Sequence, residues 1–125
     1  VAEAYVTSVK SLIKTNEEVT ETIKTGMVVK LSGDDGVELA LADDELNFGI
    51  GLASNEALPS ELCKVDFLGL ITMVDWTDVT ATTLLTVNQK YYLSDVDPGM
   101  VVSTPPTNQQ LVGVAVSPNS LLIKL

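Results

Sequence analysis

The sequence predicts an all-β fold, a small barrel or sandwich, and three observations predict it. Turn signals recur every ~8–12 residues between short runs rich in β-branched residues, which is the spacing of small barrels and sandwiches. Single glycines interrupt apolar runs at Gly49, Gly51, Gly69 and Gly113, a pattern that marks bends, bulges or close strand approach. One unit is also stated twice. Thr25-Gly26-Met27-Val28-Val29 leads on to Ile50-Gly51-Leu52-Ala53, and Pro98-Gly99-Met100-Val101-Val102 leads on to Val112-Gly113-Val114-Ala115.

Residues 1–25 lack the glycine-punctuated pattern and read as an N-terminal arm or peripheral strand. Tyr5, Thr7 and Val9 alternate weakly with Val6 and Ser8, and Asn16 followed by acids resembles a helix N-cap, with room for one short helix. Residues 26–125 read as one barrel-like domain. Met27–Leu31 is a β-branched strand, closed by the turn Ser32-Gly33-Asp34-Asp35-Gly36. Val37–Leu41 alternates as a half-buried strand does. After the polar break Ala42-Asp43-Asp44-Glu45, strand resumes over Asn47–Ala53.

Glu56–Glu61, with Pro59, is a loop, and Leu62–Thr72 is a long apolar run. Lys90–Ser94 holds Tyr91 and Tyr92, and Asp97-Pro98-Gly99 fits a type II turn with Pro at the second and Gly at the third position. Val101–Ser103, Gln110–Val116 and Leu121–Leu125 are strands, the last two joined by Ser117-Pro118-Asn119-Ser120. The final strand is expected inside the sheet rather than free.

At 125 residues and 46% hydrophobic, the chain is one domain long and able to bury a core. No apolar run approaches the ~20 residues of a membrane-spanning helix, and no charged-then-apolar leader opens the sequence. Net charge is −10, from 17 acids against seven lysines, with no Arg or His. Nucleic acid binding requires cations that displace condensed counterions, so neither nucleic acid nor an anionic membrane is an expected partner.

The same composition bears on chemistry. Without His, the Ser-His and Cys-His arrangements of nucleophilic catalysis are excluded. Phosphate-cradling glycine motifs are absent as well, since Gly49-Ile50-Gly51 has neither a third glycine nor a following helix. Cys63, the single cysteine, has only Lys64 beside it as an activating charge and reads as a small buried apolar residue.

The clusters Asp34-Asp35, Asp43-Asp44-Glu45 and Asp95-Val96-Asp97 offer oxygens to a hard cation, yet all sit in predicted turns, where Asp is favoured for its backbone bonding. Paired acids for sugar hydrolysis lack an aromatic groove, because Trp76 is the sole Trp. Trp76 itself reads as core or as a subunit-interface contact. No enzyme, catalytic residue, cofactor or metal is expected.

With these residues in place, the chain resembles the head-decoration (cement) proteins of tailed bacteriophages, the lambda-type group with a β-tulip-like barrel. Gly26-Met27-Val28-Val29, Gly51-Leu52-Ala53 and Gly69-Leu70-Ile71 carry the likeness. So do Lys90-Tyr91-Tyr92-Leu93-Ser94 running into Asp97-Pro98-Gly99-Met100-Val101, and then Val112-Gly113-Val114-Ala115. Their order spans residues 25–125.

The resemblance implies a protein made in the host cytoplasm that sits on the outer surface of the expanded capsid, as a homotrimer, and clamps the major capsid protein. It implies an arm that adds a strand to that partner, which here places capsid contacts at Tyr5, Val6, Val9, Leu12 and Ile13. The arm departs from the lambda type in being poorer in Pro and Thr and more acidic in its second half. The competing classes are a tail-fibre or baseplate module, a host-surface adhesin and a small hydrolase.

Overall fold

The computed structural model describes residues 10–33 and 35–125. Five strands close a barrel: β1 (Ser11–Asn16), β2 (Val28–Ser32), β3 (Gly36–Leu39), β4 (Gly51–Ala53) and β5 (Leu62–Asp66), in the order β1-β3-β2-β4-β5. The β1–β3 pairing is parallel and the other four are antiparallel. The remainder forms β6 (Leu70–Thr72), the four-residue helix α1 (Thr77–Thr80), β7 (Lys90–Leu93), β8 (Val101–Val102), β9 (Leu111–Ser117) and β10 (Ser120–Ile123). Its strands make an open sheet in the order β6-β10-β9-β7-β8. The described residues are therefore all-β with one short helix.

The two layers share a wall. Successive side chains on a strand point to opposite sides, and β2 and β4 bury both sides. Val29 and Ala53 turn into the barrel with Val37, Cys63 and Val65, whereas Val28 and Leu52 pack outward with Tyr91, Leu93, Val112 and Leu121 of the second sheet. This explains why both strands read as unbroken apolar runs instead of alternating. Met27 packs against both cores.

The duplicated Gly-Met-Val-Val units meet at that seam. Both glycines hold positive φ, 89° at Gly26 and 77° at Gly99, a conformation that costs glycine little. The Val28 amide donates to the Gly99 carbonyl at 2.9 Å, and the Gly99 amide donates to the Ala40 carbonyl at 2.7 Å. The type II turn is formed as expected, closed by the Met100 amide on the Asp97 carbonyl at 3.2 Å. The likeness is one of pieces and not of topology: β2 and β4 pair directly, whereas β8 and β9 lie on either side of β7.

Two expectations are corrected. Within residues 1–25, read as an arm or a peripheral strand, β1 is neither, because it lies between β3 and β5 and closes the barrel. Without it, both neighbours would become open edges that cost unpaired backbone groups. Asn16 begins no helix. Its Oδ1 accepts from the Glu18 amide two residues on, at 2.9 Å, so the same side-chain chemistry makes an Asx turn. As the glycine pattern predicts, the apolar run Leu62–Thr72 bends: it is two strands, broken where Gly69 takes φ 97° and the chain crosses from barrel to sheet.

Candidate interaction surface

The residues that suggested chemistry have structural work. Asp44 Oδ1 accepts from the amides of Leu46 and Asn47 at 2.6 and 3.2 Å. Ser94 Oγ accepts from the amides of Val96 and Asp97 at 3.1 and 3.0 Å, which folds the Asp95–Asp97 turn. Asp35 lies 3.8 Å from Lys14 Nζ, and Asp34 lies outside the described residues. Among the described residues no group of three or more His, Cys, Asp or Glu is placed to hold a metal ion. Cys63 is wholly buried, and burial pushes its thiol up to about 11, away from the thiolate that reactivity needs.

Of the capsid contacts implied by resemblance, Tyr5, Val6 and Val9 lie outside the described residues. Leu12 and Ile13 lie in β1, on opposite sides of it. Leu12 stands opposite buried Val65 and shares its inward side. Ile13 stands opposite Lys64 on the outward side, diagonal to Leu62 across the β1–β5 ladder. Both are prominent, with Ile13 65% and Leu62 63% exposed. Trp76 is not an interface contact. It is 0% exposed within one copy, and its Nε1 donates to the Asn119 carbonyl at 2.9 Å, as buried indoles require.

The larger surface is one that the residue-by-residue reading passed over. The inner side of the second sheet packs on the barrel wall, and its outer side carries apolar side chains in register. Leu70, Leu122 and Val114 form a row across β6, β10 and β9, ending at exposed Lys90 on β7. Leu111, Tyr92 and Val102 form the next row across β9, β7 and β8. Val116 flanks the first row at 48% exposure, and Leu70 is 56% exposed. Beyond them Thr72 and Ser120 share a hydroxyl hydrogen bond of 2.7 Å.

Among the described residues, the strands of this sheet hold no acid, in a chain of charge −10. Residues 1–78 carry 15 acids against five lysines, the whole net charge, whereas residues 79–125 carry two of each. No Asp or Glu follows Asp97. The barrel side, by contrast, carries an acidic cleft of about 400 Å³ rimmed by Glu18, Glu21, Glu38 and Asp43, with Lys30 held on Glu38 at 3.0 Å.

Comparison of the chain with protein-family models, with curated proteins and with solved structures finds no match.

Proposed function

We propose that this chain is a non-enzymatic virion structural protein that binds the outer surface of the expanded phage capsid and cements the lattice of major capsid protein. One observation carries the reading: apolar side chains stand exposed on both layers, Ile13 and Leu62 on the barrel and Leu70 and Val116 on the second sheet, an arrangement suited to contact rather than to catalysis. Large exposed apolar patches mark interaction sites, and net charge keeps an abundant protein soluble until it assembles.

The ordered motifs that resemble cement proteins support the same reading. They occupy the barrel–sheet seam at β2, β4 and β8 and the strands β6, β7 and β9. The outward pair Ile13 and Leu62 on the barrel wall supplies the contact for the capsid strand, beside the start of β1.

The test is the melting of expanded shells with and without added protein. A partner that binds only the intact lattice raises its melting temperature by mass action. Wild-type protein is expected to raise it, and the double variant Ile13→Glu, Leu62→Glu is expected to bind at least about tenfold more weakly, a loss of ~1.4 kcal/mol. Unchanged shell melting with saturating wild-type protein contradicts the reading.

A further inference from the structure

We infer that Lys30 and Asn47 are the two halves of an intramolecular amide cross-link, formed by the chain itself between their side chains, with Glu38 as the base. The inference stands independently of the capsid reading, because it rests on the side chains of one copy.

The reacting groups meet in the cleft on the barrel side, which Lys30, Glu38, Asp43 and Asn47 all line. Lys30 on β2 stands directly opposite Glu38 on β3, where cross-strand neighbours lie ~5 Å apart on one face. Its Nζ lies 3.0 Å from Glu38 Oε1 and donates to Asn47 Oδ1 at 2.6 Å. The other arm of the same amide, Asn47 Nδ2, donates to Asp43 Oδ1 at 2.5 Å. One carboxylate therefore touches the amine, a second touches the amide nitrogen, and the Asn47 carbonyl lies between them. The Lys30 side chain is only 22% exposed, and Asn47 is half-buried.

Asn47 is also held from both sides. Its backbone amide donates to Asp44 Oδ1 at 3.2 Å. Two residues on, Gln110 fastens Gly49 at two points, Oε1 accepting from the amide and Nε2 donating to the carbonyl, each at 2.7 Å. The Ile50 amide then donates to the Val29 carbonyl at 2.8 Å and returns the chain to β2. The loop thus presents a fixed amide to a fixed amine, and such orientation lowers the barrier to attack on an unactivated carbonyl.

The step balances without a co-reactant. Glu38 takes a proton from the Lys30 ammonium, and the amine lone pair attacks Asn47 Cγ. The Nζ–Cγ bond forms and the Cγ–Nδ2 bond breaks. Nδ2 takes a second proton shed by the attacking nitrogen and leaves as ammonia, held by Asp43 as it goes. Glu38 returns its proton to water, Oδ1 stays on Cγ, and nothing is oxidised or reduced. The product ties together residues 17 positions apart, which restricts the unfolded chain as a disulfide does.

The test is the intact mass of the full chain after incubation in mildly alkaline buffer, followed by tryptic mapping of the denatured product. Wild type is expected to be lighter by one ammonia, and trypsin to fail after Lys30, so that residues 25–64, between Lys24 and Lys64, run as one peptide. Lys30→Arg keeps the charge opposite Glu38 and is expected at full mass. Glu38→Gln keeps the side-chain shape and is expected to slow the loss about a hundredfold, with a cooperative β-type melt verifying that both variants fold. Wild type that holds its full mass and is cut after Lys30 overturns the inference. So does ammonia loss that leaves the cut at Lys30 intact, which would be closure of Asn47 on its own backbone, or loss that persists in Lys30→Arg.

Discussion

Asn16 shows how one side chain closes a barrel end. It is 1% exposed, and its Nδ2 donates to the carbonyls of Ala57 at 2.8 Å and Glu21 at 3.1 Å, while Oδ1 accepts from the Glu18 amide. The loop that carries Ala57 is thereby tied to the end of β1, next to the Ile23–Ala57 bridge. Asn16→Ala removes all three bonds, and although the Ala57 carbonyl keeps the Ile23 amide at 2.9 Å, the lost ties cost about 1–3 kcal/mol, which urea unfolding is expected to register.

Cys63 gives the second expectation at this scale. Its thiol stays protonated up to about 11 in the native barrel, whereas the unfolded chain ionises near the ordinary ~8.5. The sign follows from linkage: the contribution is complete below that ordinary value and is lost as pH rises towards 11, because the unfolded state releases its proton first. Native protein at pH ~8 should resist alkylation and react promptly once unfolded. Equal rates in both states would place the thiol at the surface.

At the scale of elements, β1 carries the sharpest expectation. Its six residues pair with β5 through Ser11–Thr15 and with β3 through Thr15 and Asn16. Deleting residues 1–13 removes three of the five β5 partners and opens the barrel, so the cooperative β-type melt should be lost or broadened. A truncated protein that keeps the wild-type midpoint would show the segment to be dispensable to the body.

The same strand marks what was legible in the sequence. Strand pattern and turn chemistry are local, so Met27–Leu31, the Asp97-Pro98-Gly99 turn and the Ser117–Ser120 hairpin were readable. The pairing of β1 with a strand about fifty residues later is not local, and a strand without flanking turn signals reads as an arm. Trp76 was ambiguous for a similar reason. Its burial depends on the Asn119 carbonyl from a distant hairpin, which no window around residue 76 contains. The outer-face rows were hidden because they join alternate residues from five separate strands.

For the whole molecule, the two layers differ in charge. Residues 11–66, the barrel and its loops, hold 12 of the 17 acids, and the strands of the second sheet hold none. Neither layer is complete alone: β2 and β4 supply Val28 and Leu52 to the core of the second sheet. The two layers are therefore held together by a shared wall. We propose that the protein recognises the expanded capsid lattice, and cosedimentation of purified protein with expanded and unexpanded phage shells tests this most directly. The account predicts saturable binding to expanded shells and at least about tenfold weaker binding to unexpanded ones, which lack the finished lattice. Equal binding to both forms, or binding to neither, would contradict it.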